Sequence, residues 1–374
     1  MDFLYEIPLI GYLFQFIGYV IDVLPIIAPT IIGASVAIAL GALCGFMNER
    51  SGVVNIGIEG MMLTAAFVAW WAASLSAQLI PDGPAGPLGM SAPLLIGLIV
   101  AIGAAMLVSL VHAWLSITVR ADQVISGTII NIFAVGITGY LNLLISRSAP
   151  PSAGQFSRWE PPEALTDLPF IGWLFDALLS QGPIGLGLLA AVVVMQVLLF
   201  RSRWGLRTRA VGEHPEAAET VGIDVIGLRY RNVVLGGVFA GLAGAYLTIE
   251  FGNSFQGEMT NGRGFIALAA LTFGQWTPLG AFGAALLFTA SEGIQRAVRF
   301  GPPEGALGDF LAGVPTQFYS AVPYLITIIV LAGVVGRSLA PAAVGRPYER
   351  EKRERRSRPA TSDPAPAPSS TPGS

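Results

Sequence analysis

Apolar positions in this chain come in long unbroken runs, not in the one-sided or alternating patterns of water-soluble elements. Runs of about 18 residues or more, enough to cross a bilayer as helix, occupy 23–46, 56–76, 92–118, 123–146, 183–200, 233–250, 277–298 and 322–339. Residues 264–274, GFIALAALTFG, are apolar but short of the roughly 20 residues a span needs, and predict a short or broken helix feeding into 277–298. The opening stretch, residues 1–22, is interrupted by Glu6, Pro8, Gln15 and Asp22, which predicts an interfacial helix or a first span. The fold class expected is therefore all-α, a polytopic transmembrane helical bundle of about nine to ten spans.

The longest structured polar interruption is 201–231, RSRWGLRTRAVGEHPEAAETVGIDVIGLRYR. Pro215 suits a first helical position, Glu216 to Glu219 place acids at the positive end of the helix dipole, and Gly222 suits a stop. A helix of about two turns is predicted between the apolar runs. Two readings stand side by side: a basic loop tying two spans to lipid headgroups, or a short helix presented to a cytosolic partner. Its six arginines, against Glu213, Glu216, Glu219 and Asp224, put it on the cytoplasmic side.

Composition agrees, with 53% hydrophobic and 12% charged residues against about a quarter charged in soluble domains. The net charge of −3 hides segregation: arginines gather at 201–231 and 337–358, whereas 147–182 sets Arg147 and Arg158 against four acids. Alternating the spans from a cytoplasmic 201–231 puts Asn48-Glu49-Arg50 and Arg120 inside, and 77–91, 147–182 and 251–263 outside. The basic tail falls inside only if 264–274 and 277–298 cross as separate passes. Without a basic n-region or small-residue cleavage site, residues 1–20 are read as retained. Residues 23–340 are expected to form the transmembrane domain, and 341–374, basic and then Pro/Ser/Ala-rich, are expected as a disordered cytoplasmic tail whose basic part lies on membrane lipid. Gly33, Ala37, Gly41 and Gly45 recur every four residues, as do Gly237 with Gly241 and Ala240 with Gly244, a spacing that lets helices approach closely in lipid.

Enzyme chemistry finds no support. Cys44 is the single cysteine, His112 and His214 the only histidines, and no metal cluster or cofactor is expected. A P-loop needs Gly-Lys followed by Ser or Thr, and the only lysine, Lys352, follows Glu351, so an ATP-driven role requires a separate subunit. Polar groups inside apolar runs are costly and mark candidate sites. In NERSGVVNIGIEGMM, Asn55 and Glu59 share a helical face, Glu59 being open to two roles, solute contact or a carboxylate satisfied by backbone amides or an arginine. In DQVISGTIINIFAVGITGYLNLL, Gln123, Gly127 and Asn131 fall at i, i+4 and i+8 with Asn142 further along, suited to a polar uncharged solute or equally to interhelical hydrogen bonds. In FGNSFQGEMTNGRGFIALAALTFGQWTPLG, a Gly-rich loop with Arg263 leads through the short helix to Gln275, a discontinuity expected where backbone lines a cavity.

The runs NERSGVVNIGIEGMM, DQVISGTIINIFAVGITGY, RAVGEHPEAAETVGIDV and GRGFIALAALTFGQWTPLGA, in order between about 25 and 335, resemble the permease subunit of bacterial nucleoside-type ABC importers, within the ribose and branched-chain amino acid permease superfamily. The likeness is nearest to the shorter of two permeases that pair in such systems. It implies a second permease subunit, a cytosolic ABC ATPase, an extracytoplasmic solute-binding lipoprotein and residence in the bacterial cytoplasmic membrane, with no nucleic-acid partner. Carried onto this chain, Glu213, His214, Pro215, Glu216, Ala218 and Gly222 would seat in the ATPase, while Asn55, Glu59, Gln123, Asn131, Asn142, Arg263 and Gln275 would lie along the translocation path. Sugar or branched-chain amino acid cargo, or an ion-coupled transporter without an ATPase, remain the alternatives.

Overall fold

A computed structural model describes residues 8–80, 86–147, 152–315, 317–319, 321, 325 and 340–349. The protein is a helical bundle. Its elements are α1 (Pro8–Glu49), α2 (Ile58–Leu79), α3 (Ala92–Ala113, continued by a π turn, Trp114–Val119), α4 (Gln123–Ser146), α5 (Glu163–Thr166), α6 (Gly172–Leu179), α7 (Pro183–Arg201), α8 (Arg203–Glu213), α9 (Pro215–Thr220), α10 (Val225–Ile249), α11 (Arg263–Phe273), α12 (Pro278–Phe300) and α13 (Ala306–Gly313).

Six of these, α1, α2, α3 with its π turn, α4, α7 and α10, are long and apolar enough to cross a membrane. They carry six of the eight runs expected to span. The run at 277–298 is α12, whose second half brings in Glu292, Arg296 and Arg299, and the run at 322–339 lies outside the described residues apart from Leu325. The short helix expected at 264–274 is α11. The opening stretch from Pro8 and the first strong span form one continuous helix, with no break at residue 22 and with Pro25 and Pro29 inside it.

Helices α1, α2, α3 and α10 make the centre, and glycine lets them close up. A Cβ at Gly244 of α10 would sit 2.1 Å from the Met62 carbonyl oxygen of α2, and one at Gly241 would sit 2.7 Å from Cα of Ile102 on α3. In α1, Gly41 and Gly45 meet Ala267 and Leu271 of α11 at similarly close range. The small-residue stripes read from the sequence are thus helix contacts, and van der Waals packing is the main attraction available to apolar helices in lipid. Outward faces stay apolar, with Ile99, Leu107, Ile129, Ile132, Phe133 and Val193 exposed.

The loops sort to two ends as the charge pattern predicts. At one end the Arg50 guanidinium donates to the carbonyls of Trp276 (2.8 Å) and Gln275 (3.3 Å), and Arg120 pairs with Glu349 at 2.5 Å. At the other, the Phe156 amide donates to Ile249 O, the Ser157 amide to Leu88 O, and the Trp159 amide to Gln181 O. Arginine-rich segments share the first end, the one that the positive-inside rule assigns to the cytoplasm (the cytoplasmic end). Of the tail expected to be disordered, residues 350–374 lie outside the described residues and 341–349 are described. They pack on this end, with the Ala343 amide donating to Gly212 O (2.9 Å) and the Gly345 amide to Gly52 O (3.2 Å). Apolar contact of Ala343 and Tyr348, both buried, outweighs the polar composition of the surrounding run.

At the external end the Glu250 carboxylate accepts the amides of Ile184 (2.6 Å) and Gly185 (2.9 Å) at the start of α7. Burial pushes its pKa up to about 7, against a smaller downward pull from those amides and from Arg158.

Two outcomes follow from this packing. Because the folded Glu250 binds its proton more tightly than the unfolded chain does, stability contributed by the protonated form is full below the ordinary carboxylate range and is lost as pH rises through about 7. Thermal unfolding of the purified protein will show a midpoint that falls over that window, and Glu250→Gln will flatten this slope. Separately, Gly244→Ala will lower the unfolding midpoint through overpacking worth about 1–3 kcal/mol. Gly283→Ala, at a position with open space, will leave it unchanged or slightly raised.

Candidate functional site

Between α1 and α2 the chain unwinds. Residues 51–57 turn at Ser51 and Gly52 and run non-helically before α2 starts at Ile58. Unwound backbone at membrane depth has no water to bond, so the protein must satisfy it. Three side chains do so. Oε1 of Gln123 accepts the Val54 amide (2.7 Å), Nε2 of His112 lies 2.9 Å from Val54 O, and Asn131 donates to Ile56 O (3.0 Å) while accepting the Gly60 amide (2.7 Å). A carbonyl cannot donate, so His112 carries its proton on Nε2, leaving Nδ1 to accept from the Ser126 hydroxyl at 3.1 Å. Helix α4 can come this near only because Gly127 faces Gly57, where a Cβ would meet the Gly57 nitrogen at 2.7 Å. Asn55, fully buried, donates to Met61 Sδ at 3.5 Å.

Glu59, on the first turn of α2, reaches across to the start of α11. Its carboxylate accepts the amides of Gly262 (2.8 Å) and Gly264 (2.6 Å). The first amides of a helix have no intrahelical partner, and the carboxylate oxygens supply one. Gly262 has φ +78°, and a Cβ on Gly264 would strike Glu59 Cα at 2.6 Å, so both glycines are needed for this contact. Of the two roles open to Glu59, the backbone one is therefore occupied. Arg263 does not pair with it; its guanidinium turns back to Met259 O (3.2 Å) and Thr260 O (3.4 Å).

Depth follows from helix length. Helix α11 has 11 residues, so it rises about 16 Å, and its far end carries Gln275 and Trp276, bound to Arg50 at the cytoplasmic end. Its start, where Glu59 sits, is therefore about halfway through a core of about 30 Å. The segment 251–262 descends from the external end to meet it, with Phe255 buried against Phe67 (ring centroids 5.3 Å apart) and Glu258 and Asn261 at positive φ.

At this junction lies a cavity of 410 Å³ lined by Glu59, Leu63, Asn131, Ile132, Val135, Glu258, Thr260, Asn261, Gly262 and Phe265. Its size falls in the range of small-molecule sites, about 300–1,000 Å³. The lining carries two carboxylates and no cationic side chain. Of the residues singled out in the sequence, Glu59 and Asn131 line it, while Gln123 and Asn55 belong to the support beneath it. Asn142 bonds Ser146 further up α4, at 3.1 Å, and Gln275 is exposed at the cytoplasmic end. Sequence reasoning did not select Phe265, Glu258 or Thr260 as site residues, although all three lie in the loop-and-helix stretch it marked. Phe265 read as one more apolar residue of a helix, and only the position of α4 beside it makes it a wall.

At the cytoplasmic end the predicted short helix is α9. Pro215 is its first residue, and Gly222, at φ +84°, ends it with its amide donating to Glu219 O (2.9 Å). Glu213, His214, Glu216 and Gly222 are exposed, whereas Ala218 is buried against Val211 and Val225. The preceding α8, capped by Ser202, was not foreseen in the run of arginines. Among the described residues no group of three or more His, Cys, Asp or Glu could hold a metal ion.

The chain matches the family described as branched-chain amino acid transport system / permease component over residues 27–331. It is 37% identical to the guanosine ABC transporter permease protein NupQ of Bacillus subtilis, over 89% of this chain and 99% of that one. It is 34% identical to the nucleoside ABC transporter permease protein NupC of Lactococcus lactis subsp. cremoris, over 89% and 99%. It is also 33% identical to the putative glucose ABC transporter permease protein TsgC13 of Haloferax volcanii, over 85% and 95%. No solved structure matches. The likeness takes in the unwound turn, the Glu59 junction and the cytoplasmic helix α9 together, and this chain belongs to the branched-chain amino acid transport system permease family, as a multi-pass membrane permease subunit of an ABC transporter.

Proposed function

We propose that this subunit imports nucleosides across the bacterial cytoplasmic membrane, through the mid-depth cavity at the start of α11, using ATP hydrolysed by a separate cytosolic subunit docked on α9. The observation that carries the reading is the cavity itself, which is lined by Thr260, Asn261 and the backbone-bonded Asn131 together with one aromatic ring, Phe265, and the apolar Ile132 and Val135. Amides and hydroxyls suit ribose hydroxyls and base edges, and a half-exposed phenyl ring suits a base. An amino acid would bring a carboxylate toward Glu59 and Glu258 with no cationic lining residue to receive it. The near-full-length likeness to the guanosine and nucleoside permeases supports the same cargo. Glucose, named for the Haloferax relative, is the second reading; an aromatic ring beside polar amides suits a sugar as well.

Ile132 (68% exposed) and Phe265 (48% exposed) leave the cavity without an outer wall in this chain. In the reading proposed, a second permease subunit, a different chain, closes that side, and an extracytoplasmic solute-binding lipoprotein delivers the cargo. The cavity then needs only weak binding, and movement of α9 by the ATPase would open it to alternate sides. Exposed Glu213, His214, Glu216 and Val221 on and around α9 supply a surface for the ATPase.

Two measurements test this. Uptake by the reconstituted transporter should be driven by guanosine or adenosine as cargo and not by leucine, and Phe265→Ala should reduce nucleoside uptake on the order of tenfold, as loss of one base–aromatic stack would, at unchanged membrane levels. Glucose uptake with no nucleoside uptake would replace the cargo assigned. Glu216→Arg should abolish co-purification of the ATPase without changing the amount of permease in the membrane. Full retention of the ATPase by that variant would remove α9 as the docking element.

A further inference from the structure

Residues 340–349 lie across the cytoplasmic end and touch α8, α9, α10 and the turn at Gly52. The Tyr348 ring is buried with Val211, Ala218 and Val225, and its hydroxyl donates to the Glu219 carboxylate of α9. The Arg229 guanidinium of α10 stands 5.8 Å over the same ring and donates to Arg346 O at 3.1 Å. The Ala342 amide donates to Glu213 Oε2 at 3.2 Å, and the Gly345 amide to Gly52 O at 3.2 Å. Gly52 is the turn from which the unwound segment runs to Glu59 and the cavity. With only 6 residues, α9 is too short to be stable by itself, and its one buried residue, Ala218, rests partly on Tyr348.

We propose that residues 340–349 are a strap that positions α9 and transmits its displacement to the Gly52 turn, making the carboxyl-terminal segment a working part of coupling. Tyr348 is its anchor and a positioning residue. Force applied to α9 passes through Tyr348 and Glu219 into the strap, and from Gly345 into Gly52 and Val54. The segment so displaced is the one His112, Gln123 and Asn131 hold, and it leads directly to the Glu59 junction with α11. The strap is packed and hydrogen-bonded at both ends, so it can pull as well as follow. The coupling part of this inference rests on the docking of an ATPase at α9; the positioning part does not.

The test compares the full-length chain with Tyr348→Ala, and with Tyr348→Phe, which keeps the ring and removes only the bond to Glu219. Hydrogen exchange on the permease alone reads the positioning: amides of Ala218, Gly222 and Ile223 should exchange about tenfold faster in Tyr348→Ala, and less so in Tyr348→Phe, while those of α2 and α3 stay protected. In the assembled transporter, solute imported per ATP hydrolysed should fall about tenfold in Tyr348→Ala with the ATPase still bound. Removing residues 350–374 should change neither readout, because the strap remains. Unchanged exchange at α9 in Tyr348→Ala overturns the strap, and faster exchange with an unchanged ratio of solute to ATP overturns its part in coupling. If the unaltered chain holds no ATPase, the docking reading fails, and the exchange measurement still judges the strap.

Discussion

A peptide group in hydrocarbon has no water to bond, and each one left without a partner costs several kcal/mol. The arrangement of this molecule around residues 51–60 follows from that constraint. The chain leaves helix at Gly52 and resumes it at Ile58, and between them Gln123 and His112 meet the amide and carbonyl of Val54 and Asn131 meets the carbonyl of Ile56. The start of α11 poses the same problem from the other side, and Glu59 solves it with one carboxylate on two amides. Two interruptions in the helical ladder thus face each other at half depth and hold each other in place. The space left where they meet is the cavity.

This arrangement assigns the polar residues around the unwound turn mainly to support. Gln123 and His112 serve the backbone of the unwound turn and lie beneath the cavity. Asn131 does both jobs, bridging Ile56 and Gly60 while lining the cavity wall. Glycine makes the geometry possible at a few points only: Gly127 against Gly57 brings α4 in, and Gly264 against Glu59 brings α11 in. A site built this way has its backbone bonded to side chains on both sides and a lining that mixes polar and apolar groups.

The cytoplasmic end is connected to that site by short steps. Arg50 ties the turn to the end of α11 through the carbonyls of Trp276 and Gln275, and residues 340–349 tie it to α9 and α10. Residues 340–349 therefore connect α9 to the Gly52 turn, and Arg50 connects that turn to the end of α11. In lipid, such links between loops matter more than in a soluble bundle, since the helices themselves are attracted mainly by packing of small residues.

Hydrophobic run length and arginine placement alone were enough to determine that the chain is an all-α membrane bundle, which loops share an end, and that 264–274 is a short helix. These follow from one-dimensional quantities, the number of apolar residues a bilayer requires and the side on which positive charge is retained. The short helix at Pro215 and its stop at Gly222 were legible too, because backbone preferences of proline and glycine act within a few residues. Which polar residues face the cavity was not legible: Asn131 and Gln123 share one helical stripe, yet only the packing of α4 on the unwound turn sends one to the cavity and the other to its support. Tyr348 shows the same limit. Its surroundings in sequence are charged and read as a solvated tail, but Val211, Ala218 and Val225, more than a hundred residues away, bury it. Contacts at that separation depend on how helices are arranged in space, and no local pattern of apolar and polar residues encodes them.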